Sequence, residues 1–363
     1  MIAWFRYICL IVSLIITLPE LLSAQRLVSQ RQEDVEAGLL YNESVYILSN
    51  YSCLSSNSPE KLSLDELLRK QIEGFYFYLK RDTETNVLLL RKPDGTFTPF
   101  SESLEAIKTA LDADSTKVMT LFLDFYVETE LESSFKEIGL MEYVLEYDTK
   151  NGWPSLKNML SSGKRLVVFE VQKHLNSPSW LHNMRDFVEH TDADWGNQPE
   201  GVESFDERLK KNLSLFTGYK FLETSRGNSN DISALARQTP YLIESFKRAW
   251  IRDGRVPNFV LVDKYYAWLD VSLVTFRNFD IIYGVVTNNN ELLNYVNWDG
   301  MSNYTTGKYC FPLEPGAELM LSPISPGYRI EPATVYVSGT QRKAFAGDFK
   351  ARPLRIDEDI EIY

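Results

Sequence analysis

The stretch Thr98–Val127, TPFSESLEAIKTALDADSTKVMTLFLDFYV, decides the fold. Its first half sets Leu104, Ile107 and Leu111 on one face at helical spacing. Its second half, Val118–Val127, is apolar at nearly every position. A half-exposed strand alternates apolar and polar residues. One that is apolar throughout has both faces covered, the condition of a parallel strand with helices packed on its sheet. RLVVFEV (Arg165–Val171) repeats that texture. Upstream, SVYIL (Ser44–Leu48), IEGFYFYL (Ile72–Leu79) and NVLLL (Asn86–Leu90) read as strands. Between the first two lies a helix, SLDELLRKQ, in which Ser63 and Glu66 have the spacing of a capping box. Downstream come LSLFTGY, a long helix around Leu235–Trp250 and the strand NFVLVDKYY (Asn258–Tyr266).

Strands and helices alternating over roughly 250 residues predict a parallel α/β fold, and a closed TIM-type (β/α)8-like barrel suits that length. After Gly300 the helical period disappears. Short β segments at Glu318–Leu321, Thr334–Val337 and Lys343–Ala346 follow one another between Pro and Gly turns. The expected organisation is therefore a signal segment at 1–24, an N-terminal segment at 25–40, the barrel at 41–299 and a small β-rich appendage at 300–363.

Across 363 residues the chain is 44% apolar and 24% charged, too apolar for a disordered polymer. Its net charge of −12 excludes the clustered cations that nucleic acid requires, and disfavours long-range attraction to an anionic membrane. Residues 1–24 combine Arg6, the apolar run Cys9–Leu18 and the small pair Ser23-Ala24. That is the pattern of a cleaved secretory signal, an uncleaved N-terminal anchor being the alternative. The acidic end RIDEDIEIY is unlike a lipid-anchor signal, so the expected location is extracellular, with no transmembrane or lipid anchor. Loss of Cys9 with the signal leaves Cys53 and Cys310, either one disulfide or two buried thiols, and an oxidising compartment favours the disulfide. Asn42, Asn50, Asn212 and Asn303 each begin an Asn-x-Ser/Thr glycosylation sequon.

Thr98–Val127, Gly139–Val171 and Arg255–Tyr266 together resemble the phosphatidylinositol-specific phospholipase C X-domain-like superfamily, in its secreted single-barrel branch. The resemblance implies a phosphodiester-cleaving barrel in which one histidine is general base, a second protonates the leaving group, and carboxylates with an Asn hold calcium where it is used. Carried onto this chain, the first histidine position holds Ser49, followed by Asn50 at the metal-binding Asn. The acidic pair falls on Tyr76 and Tyr78, the second histidine on Arg91, the fourth-strand acid on Asp124 and the inositol-stacking tyrosine on Tyr265. No histidine precedes His174 anywhere in the chain. Serine is no base near neutral pH and arginine stays protonated, so neither replaces the proton shuttle. Without the acidic pair no calcium or other cofactor is expected.

His174, His182 and His190 all lie beyond the RLVVFEV strand. His174 is near the end of the barrel where active sites lie, and is read as a loop histidine, a relocated catalytic one being the alternative. His190, Asp192 and Asp194 could suggest a metal, but alternating acids in a polar loop read as solvated. Tyr76, Tyr78, Arg91, Asp124 and Tyr265 would line the mouth, either as a pocket for a sugar or phosphate or as side chains that fill it. A glycan on Asn50 would cover that mouth. The expectation is a secreted, catalytically inactive barrel with a binding or matrix role, its partner a glycan, phosphoinositide or matrix component. The alternative is a divergent phosphoric diester hydrolase of lipid metabolism.

Overall fold

A parallel sheet in near-perfect chain order dominates the computed structural model, which describes residues 31–49, 51–53, 63–69, 72–125, 131–147, 149–172, 174, 177–192, 215–219, 247, 250–251, 258–262, 279–299, 304–305, 307–339 and 342–354. Its strands begin with β1 (Tyr46–Ser49) and β2 (Gly74–Arg81). A hairpin of β3 (Leu88–Arg91) and β4 (Phe97–Pro99) then leaves the edge of β2. The sheet continues through β5 (Met119–Asp124), β6 (Leu166–Glu170), β7 (Leu181–Asn183), β8 (Val188–Asp192), β9 (Leu215–Tyr219) and β10 (Phe259–Val262).

The hydrogen-bonded order is β7-β6-β5-β2-β1-β10-β9-β8. Read as a circle it is the chain order, with the first strand paired to the last from Tyr46↔Phe259 to Ser49↔Val262. The one step without a ladder among the described residues is β7 to β8, joined by the helical turn Met184–Phe187. Ring contacts show that the sheet is curled. Phe122 on β5 and Phe259 on β10 stand three strands apart, about 14 Å along a flat sheet, yet their centroids are 5.2 Å apart. Phe169 on β6, one strand further away, is 6.2 Å from the same ring. This is a TIM-type (β/α)8-like barrel.

The local reasons match the sequence. Every residue of β6 and all but the last of β5 are buried, as strands covered on both faces must be. The helix Phe100–Ala113 turns Leu104, Ile107 and Leu111 inward, each fully buried. The helix Leu64–Arg69 starts at the expected capping box, with the Ser63 amide donating to Glu66 Oε2 at 2.7 Å and the Glu66 amide to Ser63 Oγ at 3.3 Å. The strand expected at Asn86–Leu90 forms at Leu88–Arg91, and as β3 it runs antiparallel to β2 (Leu79↔Leu90) outside the barrel path.

Residues 31–43 close the N-terminal end of the barrel. Arg31, in the helical residues 31–36, is buried and ion-paired with Glu73 at the start of β2 and with Asp34 at 3.4 Å. Its guanidinium lies 4.8 Å from the centroid of the Tyr46 ring. Tyr41 enters beside it and shares a 2.7 Å hydrogen bond with Thr120 Oγ1 of β5.

The chain divides into two units, Met1–Thr239 with Asn258–Val274, and Pro240–Pro257 with Thr275–Tyr363. The second therefore begins before Gly300. Its centre is β11 (Asp280–Asn288), which carries β12 (Glu291–Leu292). After β13 (Val296–Trp298) and β14 (Tyr304–Thr305), β15 (Lys308–Leu313) returns to β11. Short strands β16 (Glu318–Leu321), β17 (Pro323–Ile324), β18 (Tyr328–Glu331) and β19 (Val335–Ser338) precede the long β20 (Lys343–Pro353), which runs parallel to β11. Trp298 is the hub of the core, with Tyr309, Phe311 and Phe349 at 4.8, 5.0 and 5.9 Å.

The disulfide expected between Cys53 and Cys310 is not formed. Cys310 is a buried thiol on β15 whose Sγ accepts a hydrogen bond from Trp250 Nε1 at 2.9 Å. Packing of that indole over the sulfur satisfies the cysteine inside the second unit.

Candidate functional site

Strand alternation and the ring contacts together decide which side chains reach the barrel interior. Phe122, Phe169, His182, Phe259 and Tyr46 meet inside. Register carries Tyr76 onto the level of Phe122, and Tyr78 onto the level of Asp124. Tyr76, Tyr78 and Asp124 therefore share the inward face toward the C-terminal end of β2 and β5, where barrels of this type carry their sites. The Tyr76 hydroxyl donates to Asp124 Oδ2 at 2.7 Å. Asp124 Oδ1 is buried and has no hydrogen-bond partner among the described residues.

Ser49 and Arg91 are not gathered at this mouth. Ser49 follows the inward-facing Leu48, so its side chain turns to the outer face with Phe75, its register partner. It is 1% exposed, and its hydroxyl has no partner among the described residues. Arg91 ends β3 on the antiparallel hairpin and is exposed. A residue not anticipated, Ser52, links the two regions: its Oγ accepts from the Tyr78 amide at 2.7 Å and donates to the Arg91 carbonyl at 3.0 Å. Asn50 and Tyr265 lie outside the described residues, as do Asn212, Asn303 and Asp194. Asn42 lies in the short turn Tyr41–Glu43 and is half-buried.

Two of the three histidines can be placed by their side chains. His182 on β7 points inward among Trp153, Phe169 and Phe187, and its Nε2–H donates to the Leu145 carbonyl at 3.1 Å. Burial in this aromatic box lowers its pKa, which the hydrogen bond to Leu145 only partly offsets. His174 stacks on Phe125 at 4.4 Å, with Nδ1 2.9 Å from Glu170 Oε2. Ser177 Oγ donates to the same oxygen at 2.6 Å, and Asn183 Nδ2 to Oε1 at 3.4 Å. Glu170 follows the inward-facing Phe169, so this cluster belongs to the outer side of the wall. It ties the β6–β7 connection to the strand ends. Glu170 has a sequence signal, a lone acid ending an otherwise apolar strand. His190 and Asp192 belong to β8.

Calcium takes six to eight oxygen ligands. Among the described residues, Asp124 is the one carboxylate on this inward face, and it accepts from the Tyr76 hydroxyl. No group of three His, Cys, Asp or Glu side chains among the described residues is placed to hold a metal. The inward face thus presents phenols and one carboxylate, groups that donate and accept hydrogen bonds. It lacks, among the described residues, the pair of near-neutral acid–base groups that phosphodiester cleavage requires.

Residues 90–199 match the PI-PLC X family model, described as PI-PLC X 1. The match begins beyond Ser49, Tyr76 and Tyr78 and includes Arg91 and Asp124. The phosphatidylinositol-specific phospholipase C of Listeria monocytogenes is similar at 14% identity and a TM-score of 0.42, covering 67% of this chain and 98% of that one. The F249X mutant of the Staphylococcus aureus enzyme is similar at 14% identity and a TM-score of 0.41, covering 69% and 96%. No curated protein sequence matches significantly.

Proposed function

We propose that this chain, whose residues 90–199 carry the PI-PLC X likeness, is a barrel that binds rather than cleaves, working outside the cell. The observation behind this reading is the state of the mouth. Its one placed carboxylate, Asp124, is engaged by Tyr76, and both histidines with placed side chains are committed elsewhere, His182 to Leu145 and His174 to Glu170. Each acid–base group missing from such a reaction removes about 10²–10⁴ in rate. A binding role suits a face of phenols, which stack on sugar rings and donate hydrogen bonds. The candidate partners are an extracellular glycan, a phosphoinositide headgroup or a matrix component. The N-terminal pattern of Arg6, Cys9–Leu18 and Ser23-Ala24 supports secretion, and no helix among the described residues is long and apolar enough to cross a membrane.

The test is a phosphodiesterase assay on phosphatidylinositol, a glycosylated phosphatidylinositol and a generic phosphodiester, with and without calcium. Release of product is expected to stay at the buffer rate. Turnover that disappears in Asp124→Asn or His174→Gln would overturn this reading in favour of a divergent phosphoric diester hydrolase.

A further inference from the structure

Outside the mouth, a cavity of about 230 Å³ opens between the end of the β2–β3 hairpin and the first turns of two helices, Phe100–Ala113 and Leu131–Ile138. Arg81, Ser101, Ser133, Ser134 and Glu137 line it, with Phe100 among its apolar contacts. Arg81, the last residue of β2, is half-buried, and no carboxylate pairs with it among the described residues. Glu137 lines the same cavity but forms no ion pair with Arg81 among the described residues, so the guanidinium keeps its donors for a ligand. The neighbouring Lys80 is used elsewhere, its ammonium 3.6 Å from the centroid of Phe97. The helix Phe100–Ala113 begins after Pro99 with no side-chain cap, so its first-turn amides add to the positive field on this side. The acid of that first turn is occupied, Glu102 accepting from Thr98 Oγ1 at 2.6 Å.

We propose that this cavity binds a phosphate or sulfate ester of a small polyol. Arg81 takes the oxyanion through its planar fork of donors, and the hydroxyls of Ser101 and Ser134 complete its hydrogen bonds. Glu137, exposed on the rim, accepts from ligand hydroxyls. Pockets for drug-sized ligands begin near 300 Å³, so a cavity of about 230 Å³ suits one sugar-sized unit.

Isothermal titration of the mature chain with glucose 6-phosphate, galactose 6-sulfate, the unmodified sugars and inorganic phosphate tests this. The esters should bind and the unmodified sugars should not. Arg81→Gln should weaken the esters ~10-fold or more, and Arg81→Lys should weaken them less. The proposal is overturned if no ester binds at millimolar concentration, or if Arg81→Gln and Ser134→Ala both leave binding unchanged. It is also overturned if inorganic phosphate binds as tightly as the esters. Ester binding lost in Asp124→Asn but kept in Arg81→Gln would place the ligand in the mouth and sink it equally. None of these results depends on whether the barrel cleaves phosphodiesters.

Discussion

His182 shows how one residue type can hold different positions in a barrel. Its ring is enclosed by Trp153, Phe169 and Phe187, and its Nε2–H donates to the Leu145 carbonyl. Burial penalises the imidazolium, so the folded-state pKa lies below the usual value of about 6.5. The unfolded chain therefore takes up the proton first as pH falls. The stability that His182 contributes is complete above about pH 6.5 and is lost as pH falls from there through the lowered folded-state value. Urea unfolding at a series of pH values should show this slope in the wild type and a flatter one in His182→Phe; equal slopes would show that His182 titrates normally. Neither this role nor that of Arg31 is legible in sequence. The segment around Arg31, RQEDVEAG, is polar with no pattern to mark a plug, and its burial follows from Glu73, 42 residues away. The missing early histidine, by contrast, is read from sequence directly and needs no structure.

At the scale of elements, β2 depends on a close approach. A Cβ on Gly74 would stand 2.2 Å from the Thr120 carbonyl oxygen of β5, and that oxygen is backbone and cannot swing away. Gly74→Ala should therefore cost about 3 kcal/mol or more, the upper end of overpacking effects. Thermal unfolding measures it, and a melting temperature within a degree of wild type would show that the strands can part. Strands β5 and β6 were legible because burial on both faces writes itself into composition. The hairpin of β3 and β4 was not: NVLLL is as apolar as a barrel strand, and only its pairing Leu79↔Leu90 reveals that it turns back antiparallel. Arg91 is carried to an exposed position for that reason.

For the whole molecule, Cys310 is a buried thiol of the second unit whose sulfur accepts a hydrogen bond from Trp250. The protein denatured without reductant should be alkylated at Cys310 by iodoacetamide, as read by peptide mass. A Cys53–Cys310 crosslinked peptide would contradict the packing of Trp250 on that sulfur. What the amino-acid sequence determined by itself was local: which runs are apolar on both faces, where the capped helix begins, and that no histidine precedes residue 174. It also carried the likeness that residues 90–199 bear out. Only the tertiary structure decided which side of the wall each residue faces. Alternation along a strand settles that neighbours are opposite, but the inward parity comes from long-range register and curl, as when Phe122 meets Phe259. That parity turned Ser49 outward, set Tyr76 against Asp124 and bound His174 to Glu170. Pairing energies between distant segments decide it, and no local window contains them.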